Sequence, residues 1–328
     1  MEVICDINQL DTSYLNKPVV TLGTFDGVHL GHQSIIRKLV EKAKEKGKKS
    51  VLVTYQPHPQ LVVDPKTAPF VLTTLEEKLY FLKRLGLDLT IVIKFNKEFS
   101  EMKAEDFVEK ILIDKLNAGE LVIGYDHAFG EKREGRLELL EKKAQEFGFD
   151  LEVISPVKND DLPIKSTRIR EAFKSKDFES GISMLGHGYP ILGERVKGRG
   201  LGEKLGFPTI NLKVSERKLI PQNGVFSAEV RIEKKLYGGM VYSGENPTFE
   251  EKHRSLEVNI FNYRQKEEKK KVFLFLFDWI RPDLKFSSLE ELKKRLKKDE
   301  KEVKRALQQK NSKGGLFANR ETKKTRAY

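Results

Sequence analysis

The sequence predicts an α/β domain followed by a small all-β domain with one closing helix. Three observations carry that reading. From Val19 to about Phe173, short β-rich runs alternate with amphipathic helical stretches, the pattern of a parallel sheet covered on both faces. After Phe173, glycine-rich turns separate further β-rich runs, and no long helix is expected until Leu289, which suits a small antiparallel barrel. The chain, at 328 residues, exceeds the size at which one hydrophobic core usually keeps growing. Two domains are therefore expected, at 1–183 and 184–308, with a basic tail over 309–328.

Five strands are readable in the first domain: Val19 to Leu22, Val51 to Tyr55, Leu89 to Ile93, Glu120 to Ile123 and Leu151 to Ile154. Each is mostly apolar, as a strand buried on both faces should be. The first helix, after Gly31, places Ile35, Ile36, Leu39, Val40 and Ala43 at the spacing of a face packed on a sheet. Gly181, Gly186, Gly188 and Pro190 are expected to interrupt regular structure at the domain boundary. Barrel strands are expected at Gly224 to Ile232, Leu236 to Tyr242, Leu256 to Phe261 and Lys271 to Phe277. The closing helix should start after Ser287 and Ser288 as caps and carry one stripe of Leu289, Leu292, Leu296, Val303 and Leu307. The last residues, with six basic groups against Glu321, read as a disordered tail.

Composition narrows the function classes. The net charge is +12, but the excess lies on faces such as Glu41 to Lys49 and Glu290 to Lys304, where Lys alternates with Glu as on a solvated surface. No basic stripe interleaved with aromatics is present, so nucleic acid is not the expected partner, whereas phosphate-ester substrates suit the charge. The apolar run Val272 to Phe277 is too short to span a bilayer, and Met1 to Asp6 lacks the features of a signal peptide. A lone cysteine, Cys5, excludes an intrachain disulfide framework and a structural zinc site, and a reducing cytoplasm is the expected compartment.

The most informative segment is Gly23-Thr-Phe-Asp-Gly-Val-His29-Leu-Gly31-His32, between an apolar strand and a helix. Glycines there let backbone approach a phosphate, and the helix start aims unpaired N–H groups and its positive dipole end outward. In a parallel sheet, ligands bind beyond the carboxyl ends of strands, and further residues fall at that rim. They are His58 and Pro59 in Gln56-Pro-His-Pro59, Asp126 and His127 in Gly124 to Gly130, and Ser166, Thr167, Arg168 and Arg170 in Lys165 to Arg170. Taken singly, the proline pair reads as a rigid turn, Asp126 as a turn cap and the arginines as solvated. Their convergence on one rim is what points to a site.

His-x-Gly-His resembles the phosphate-binding signature of the nucleotidyltransferase superfamily, shared with class I aminoacyl-tRNA synthetases. The ordered set of motifs resembles one family: the bifunctional prokaryotic riboflavin kinase/FMN adenylyltransferases, or FAD synthetases. It comprises Thr24 to His32, Pro57 to Pro59, Gly124 to Asp126 with Phe129-Gly130, Ser166 to Arg170, Leu205 to Asn211, Gly224-Val-Phe, Asn246 to Phe249, Glu257 and Arg281.

The resemblance implies a Rossmann-like nucleotidyltransferase domain that joins FMN to the AMP part of ATP, giving FAD and pyrophosphate, and a β-barrel that phosphorylates riboflavin with ATP. It implies that His29 and His32 act on the transferring phosphate. Gly23, Phe25, Asp26, Gly31, Ser166, Thr167, Arg168 and Arg170 would bind ATP, and His58, Pro59 and Asp126 would form the nucleotide or flavin rim. In the barrel it implies Glu257 as base, Thr209 and Asn211 as holders of Mg2+, and Gly198, Gly202, Gly206, Pro208 and Arg281 as the ATP and flavin cradle.

The chain departs from the family pattern at Glu203, Asn246, Asn259 and Asn262 in the barrel, and at His127, Ala128 and Lys165 in the first domain. Those in the barrel leave a second reading open, an adenylyltransferase alone with a degenerate flavin-binding kinase domain. A synthetase-related enzyme is a remote third. Motifs leave the oligomeric state open.

Overall fold

The computed structural model describes residues 1–7, 10, 15–198, 201–245, 254–263 and 270–312. The chain divides into two compact units, Met1–Val71 with Lys78–Lys165, and Leu72–Glu77 with Ser166–Tyr328.

The first unit is built on a six-stranded sheet ordered β1-β4-β3-β2-β5-β6, with β1 Glu2–Ile4, β2 Val19–Leu22, β3 Ser50–Gln56, β4 Leu89–Lys94, β5 Glu120–Gly124 and β6 Asp150–Ile154. Every pairing is parallel. The five expected strands are all present. β1 is an addition, and its three residues are too short to show a period. β2 is buried at all four positions, which explains its unbroken apolar character. The helix Leu30–Glu45 buries Ile36, Leu39 and Ala43. From β2 the chain runs outward to β3 and β4, then returns to β5 on the other side of β2. That reversal makes the carboxyl ends of β2 and β5 a topological switch point, where such sheets open a crevice for ligand. A two-stranded ribbon, β7 Lys158–Asn159 and β8 Leu162–Pro163, completes the unit's strands among the described residues.

The second unit holds a closed antiparallel barrel ordered β10-β13-β12-β11-β14-β9, with β9 pairing back to β10. Its strands are β9 Tyr189–Val196, β10 Thr209–Val214, β11 Gly224–Ile232, β12 Lys235–Glu245, β13 Arg254–Ile260 and β14 Lys271–Arg281. β9 and β10 were not among the expected strands. β9 contains Pro190, which was expected to interrupt regular structure, yet it stands near the very start of the strand, as its second residue. The expected interruption by Gly181 is also corrected. Gly181 lies inside the helix Phe178–Leu185, where a Cβ would run into the Phe173 ring, so its bareness serves close helix packing. Gly186 does end that helix, at φ +69°.

The helix Leu289–Ser312 covers the barrel with Val303 and Leu307, packed with Val225 and Met240. Ser288 Oγ accepts the Glu291 N–H at 3.2 Å, and the Glu291 carboxylate accepts the Ser287 N–H at 3.0 Å. Leu289, expected in the stripe, is exposed, and buried Asp299 occupies the same face. The helix continues past Gln309 to Ser312, so the expected tail begins in helix, and 313–328 lie outside the described residues. Among the described residues, no helix is long and apolar enough to cross a membrane.

Candidate functional site

The loop after β2 turns through left-handed backbone at Phe25 (φ 47°), Gly27 (φ 87°) and Val28 (φ 42°). For a β-branched residue such as Val28 this conformation is costly, and strain of that kind persists only where surroundings over-determine it. Burial of both Phe25 and Val28 supplies the constraint. The turn delivers His29 to the N-cap of the helix Leu30–Glu45, where its Nδ1 accepts the His32 N–H at 3.3 Å. Because Nδ1 is the acceptor, the neutral ring carries its proton on Nε2, a donor for an incoming oxyanion. Gly31 matters here, since a Cβ would press on the His29 ring at 3.2 Å.

His32 stacks on His29 with ring centroids 3.6 Å apart and meets the edge of Phe25 at 5.1 Å. Burial, then the nearby His29 and Lys78, hold its pKa well below the usual 6.5, so it stays neutral at physiological pH. Its Nδ1 is buried without a protein partner. Asp26 is buried and acts electrostatically on Lys78, whose Nζ donates to Thr54 Oγ1 at 3.0 Å. Sequence reasoning missed Lys78. It sits in the helix Leu75–Arg84 among Glu76, Glu77 and Lys83, and nothing in that string separates a buried lysine from solvated ones.

At the rim, Asp126 pairs with Lys165 at 3.1 Å, so the unusual lysine supplies charge to the expected rim aspartate. Asp126, first among causes, raises the Lys165 pKa. His127 stacks on Phe129, and burial pushes its pKa down to about 4. His58 caps the short helix Pro59–Val63 through Nδ1, which accepts the Gln60 N–H at 3.3 Å, with Pro59 in the first turn. Ser166, Thr167, Arg168 and Arg170 open the helix Ser166–Lys174 of the second unit, and Arg170 is buried.

In the barrel, the β10–β13 register pairs Asn211 with Glu257 and Thr209 with Asn259, and β12 sets Tyr242 beside Glu257. The strand period of two puts these five residues on one face, while Ile210, Leu212, Leu256 and Val258 fill the core. A Cβ on Gly198 would collide with the Asn211 amide, and one on Gly202 would meet Phe207 O and Thr209 Oγ1. Two expected cradle glycines thus lie directly on the two expected magnesium holders. Asn259 Nδ2 donates to Pro208 O at 2.8 Å, which fixes the start of Pro208 to Asn211. Gly206 has φ +83°, in open space.

Arg281 is buried and spends its donors on the closing helix and on the backbone just after β14. Nε reaches both Asp299 oxygens at 3.0 and 2.9 Å, Nη2 donates to Asp299 at 2.7 Å and Nη1 to Pro282 O at 2.8 Å. Tyr242 Oη donates to Asp283 at 3.0 Å, and burial, then Asp283 and Glu257, push its pKa up to about 12. Glu203 is exposed, and Asn262 has φ 55° just after β13. Gly200 and the segment Asn246 to Phe249 lie outside the described residues.

Residues 11–168 match the family described as FAD synthetase, and residues 185–307 match riboflavin kinase. The chain is 35% identical over 310 residues to the bifunctional riboflavin kinase/FMN adenylyltransferase of Buchnera aphidicola subsp. Schizaphis graminum, covering 93% of this chain and 98% of that one. Identity to the enzyme of the same name from Haemophilus influenzae is 35% over 281 residues, 85% of this chain and 91% of the relative. To that of Escherichia coli it is 32% over 301 residues, 92% and 96%. A solved structure described as a macrolide-efflux protein from Streptococcus pneumoniae superposes with a TM-score of 0.81 at 30% identity, covering 92% of this chain and 98% of that one. With two domain families matched in order along one chain and whole-length relatives above 30% identity, the chain belongs to the bifunctional riboflavin kinase/FMN adenylyltransferase family.

Proposed function

We propose that residues 1–183 transfer AMP from ATP to FMN, giving FAD and pyrophosphate, and that residues 184–308 phosphorylate riboflavin to FMN with ATP. The observation that carries the first activity is the His29–His32 pair, stacked on a helix N-terminus after β2. The attacking group is already anionic, the FMN phosphate, so no covalent enzyme intermediate is required. It displaces pyrophosphate from the α-phosphorus, and the protein's work is alignment plus donors that meet charge on the pentavalent centre. His29 Nε2–H and the first-turn N–H groups supply such donors. Ser166, Thr167, Arg168 and Arg170 are assigned to the same nucleotide, and His58, Pro59 and Asp126 to its rim.

For the second activity, Glu257 accepts the proton of the ribityl hydroxyl as that oxygen attacks the γ-phosphorus and ADP leaves. Mg2+ comes with ATP. Thr209 Oγ1 and Asn211 Oδ1 are hard oxygen donors of the kind it takes, beside phosphates and water, and when bound it shields the triphosphate charge. Arg281 holds the closing helix to the barrel through Asp299. The reaction set requires ATP and flavins as found in the cytoplasm, where exposed Cys5 would stay reduced.

The test incubates the purified chain with ATP, magnesium and either FMN or riboflavin, and separates the flavins by chromatography. FAD from FMN and FMN from riboflavin are the expected products. FAD without any FMN formation would leave the adenylyltransferase-only reading, and neither product from folded protein would overturn both assignments. Gly198→Ala should lower riboflavin phosphorylation by about 10- to 100-fold, because the added methyl displaces Asn211, with FAD formation from FMN unchanged. Equal loss of both activities would disconnect Gly198 from the kinase site.

A further inference from the structure

We propose that Lys78 is a positioning residue of the adenylyl-transfer site, its ammonium setting the Thr24 to His29 loop through a two-bond relay across Thr54. The proposal rests on the adenylyltransferase reading above. Lys78 is buried, and its Nζ donates to Thr54 Oγ1 at 3.0 Å. Thr54, fully buried near the end of β3, donates in turn to Thr24 O at 3.3 Å. An ammonium has donors and no acceptor, so a hydroxyl bound to it must turn its single proton elsewhere, here to the Thr24 carbonyl. Thr24 is the residue from which the backbone enters the left-handed turn at Phe25, Gly27 and Val28, and that turn presents His29 as helix cap.

The charged and titratable groups facing Lys78 are Asp26 from the loop and His32 from the helix. Asp26 favours the ammonium, and the ammonium disfavours a charged His32. One cation therefore orients the loop carbonyl and, after burial and His29, adds to what holds the His32 imidazole neutral. Burial lowers the Lys78 pKa to about 8, so the relay loses its cation as pH rises through that value.

The experiment compares Lys78→Met and Lys78→Arg with the parent in the full chain, measuring FAD and FMN formation separately across pH. In the parent, kcat for FAD formation should fall above pH ~8. Lys78→Arg, which keeps a cation at all these pH values, should hold its rate through that limb. Lys78→Met should lower that kcat about 100-fold with KM for ATP and FMN within about threefold, leaving riboflavin phosphorylation unchanged. NMR titration of His32 reads the same relation without turnover: its pKa should rise in Lys78→Met and stay depressed in Lys78→Arg. If the parent makes no FAD, the adenylyltransferase reading fails, while the His32 titration still decides whether Lys78 acts on the loop. Unchanged kcat in Lys78→Met, or an unmoved His32 titration, would overturn the proposal. Should Lys78→Met fail to fold, the alkaline limbs of the parent and Lys78→Arg decide it, and identical limbs would reject it.

Discussion

His32→Ala should abolish FAD formation from FMN, by about 10³-fold or more, while riboflavin phosphorylation stays within about twofold of the parent. Two losses combine. The variant lacks the imidazole proposed to act on the transferring phosphate, and it removes the ring against which His29 stacks at 3.6 Å. The backbone N–H of residue 32 still reaches His29 Nδ1, so the cap survives and the variant should fold. Separation of effects follows from the grouping of His32 with the first unit and of Glu257 with the second. Parallel loss of both activities in folded protein would contradict it.

His32 also leaves a signature in stability. Its folded pKa lies well below 6.5, so just under 6.5 the unfolded chain binds the proton that the folded chain refuses. Stability contributed by this site is therefore full above about pH 6.5 and declines as pH falls below it, and that part of the slope should disappear in His32→Ala. Chemical denaturation at about pH 5.5 and 7.5 measures the difference.

The largest stability effect is expected at Lys218. Lys218→Met should destabilise the second unit by about 3–5 kcal/mol, because it strands a carboxylate in the core. Glu77 and Lys218 pair at 2.8 Å with side chains 0% and 1% exposed. The lysine also donates to Leu72 O and lies 4.1 Å from the centroid of the Tyr189 ring, and Glu77 accepts the N–H groups of Leu192 and Thr74 at 2.6 and 2.8 Å. Pairing the change with Glu77→Gln should recover part of the loss, since an uncharged amide is cheaper to leave buried than a lone carboxylate. Unfolding should be followed by a probe of the barrel, because a two-unit chain need not melt in one step. A shift below about 1 kcal/mol for Lys218→Met would show that Glu77 finds another partner or takes up a proton without cost.

The parallel strands were legible because β2 and its neighbours are buried on both sides, and chain order alone could express that. β10 was hidden by its own chemistry. Thr209 to Asn211 read as a ligand-binding motif, and the alternation of Thr209, Asn211 and Lys213 with Ile210, Leu212 and Val214 is the strand that presents it. The ionic core could not be read at all. Glu77 and Lys218 are 141 positions apart, and Arg281 and Asp299 belong to a strand and a helix with no shared period. Lys78 was invisible for the same reason, because a helix-face lysine reveals its burial only once Thr54 and Asp26 are placed beside it.

Barrel closure bears on how the protein behaves when crowded or freshly made. Once β9 has joined β10, no barrel strand among the described residues offers an unpaired edge to another chain, which leaves the six-stranded sheet and the short β7–β8 ribbon as the described strands with open edges. Of the sheet's two borders, β1 has only three residues, too few to template much. The longer border, β6, keeps exposed Val153 behind two carboxylates held in ion pairs, Asp150 with Lys46 and Glu152 with Lys42. Those two ion pairs act as gatekeepers, and neutralising Asp150 and Glu152 together is the change most apt to turn a well-behaved chain into a sticky one.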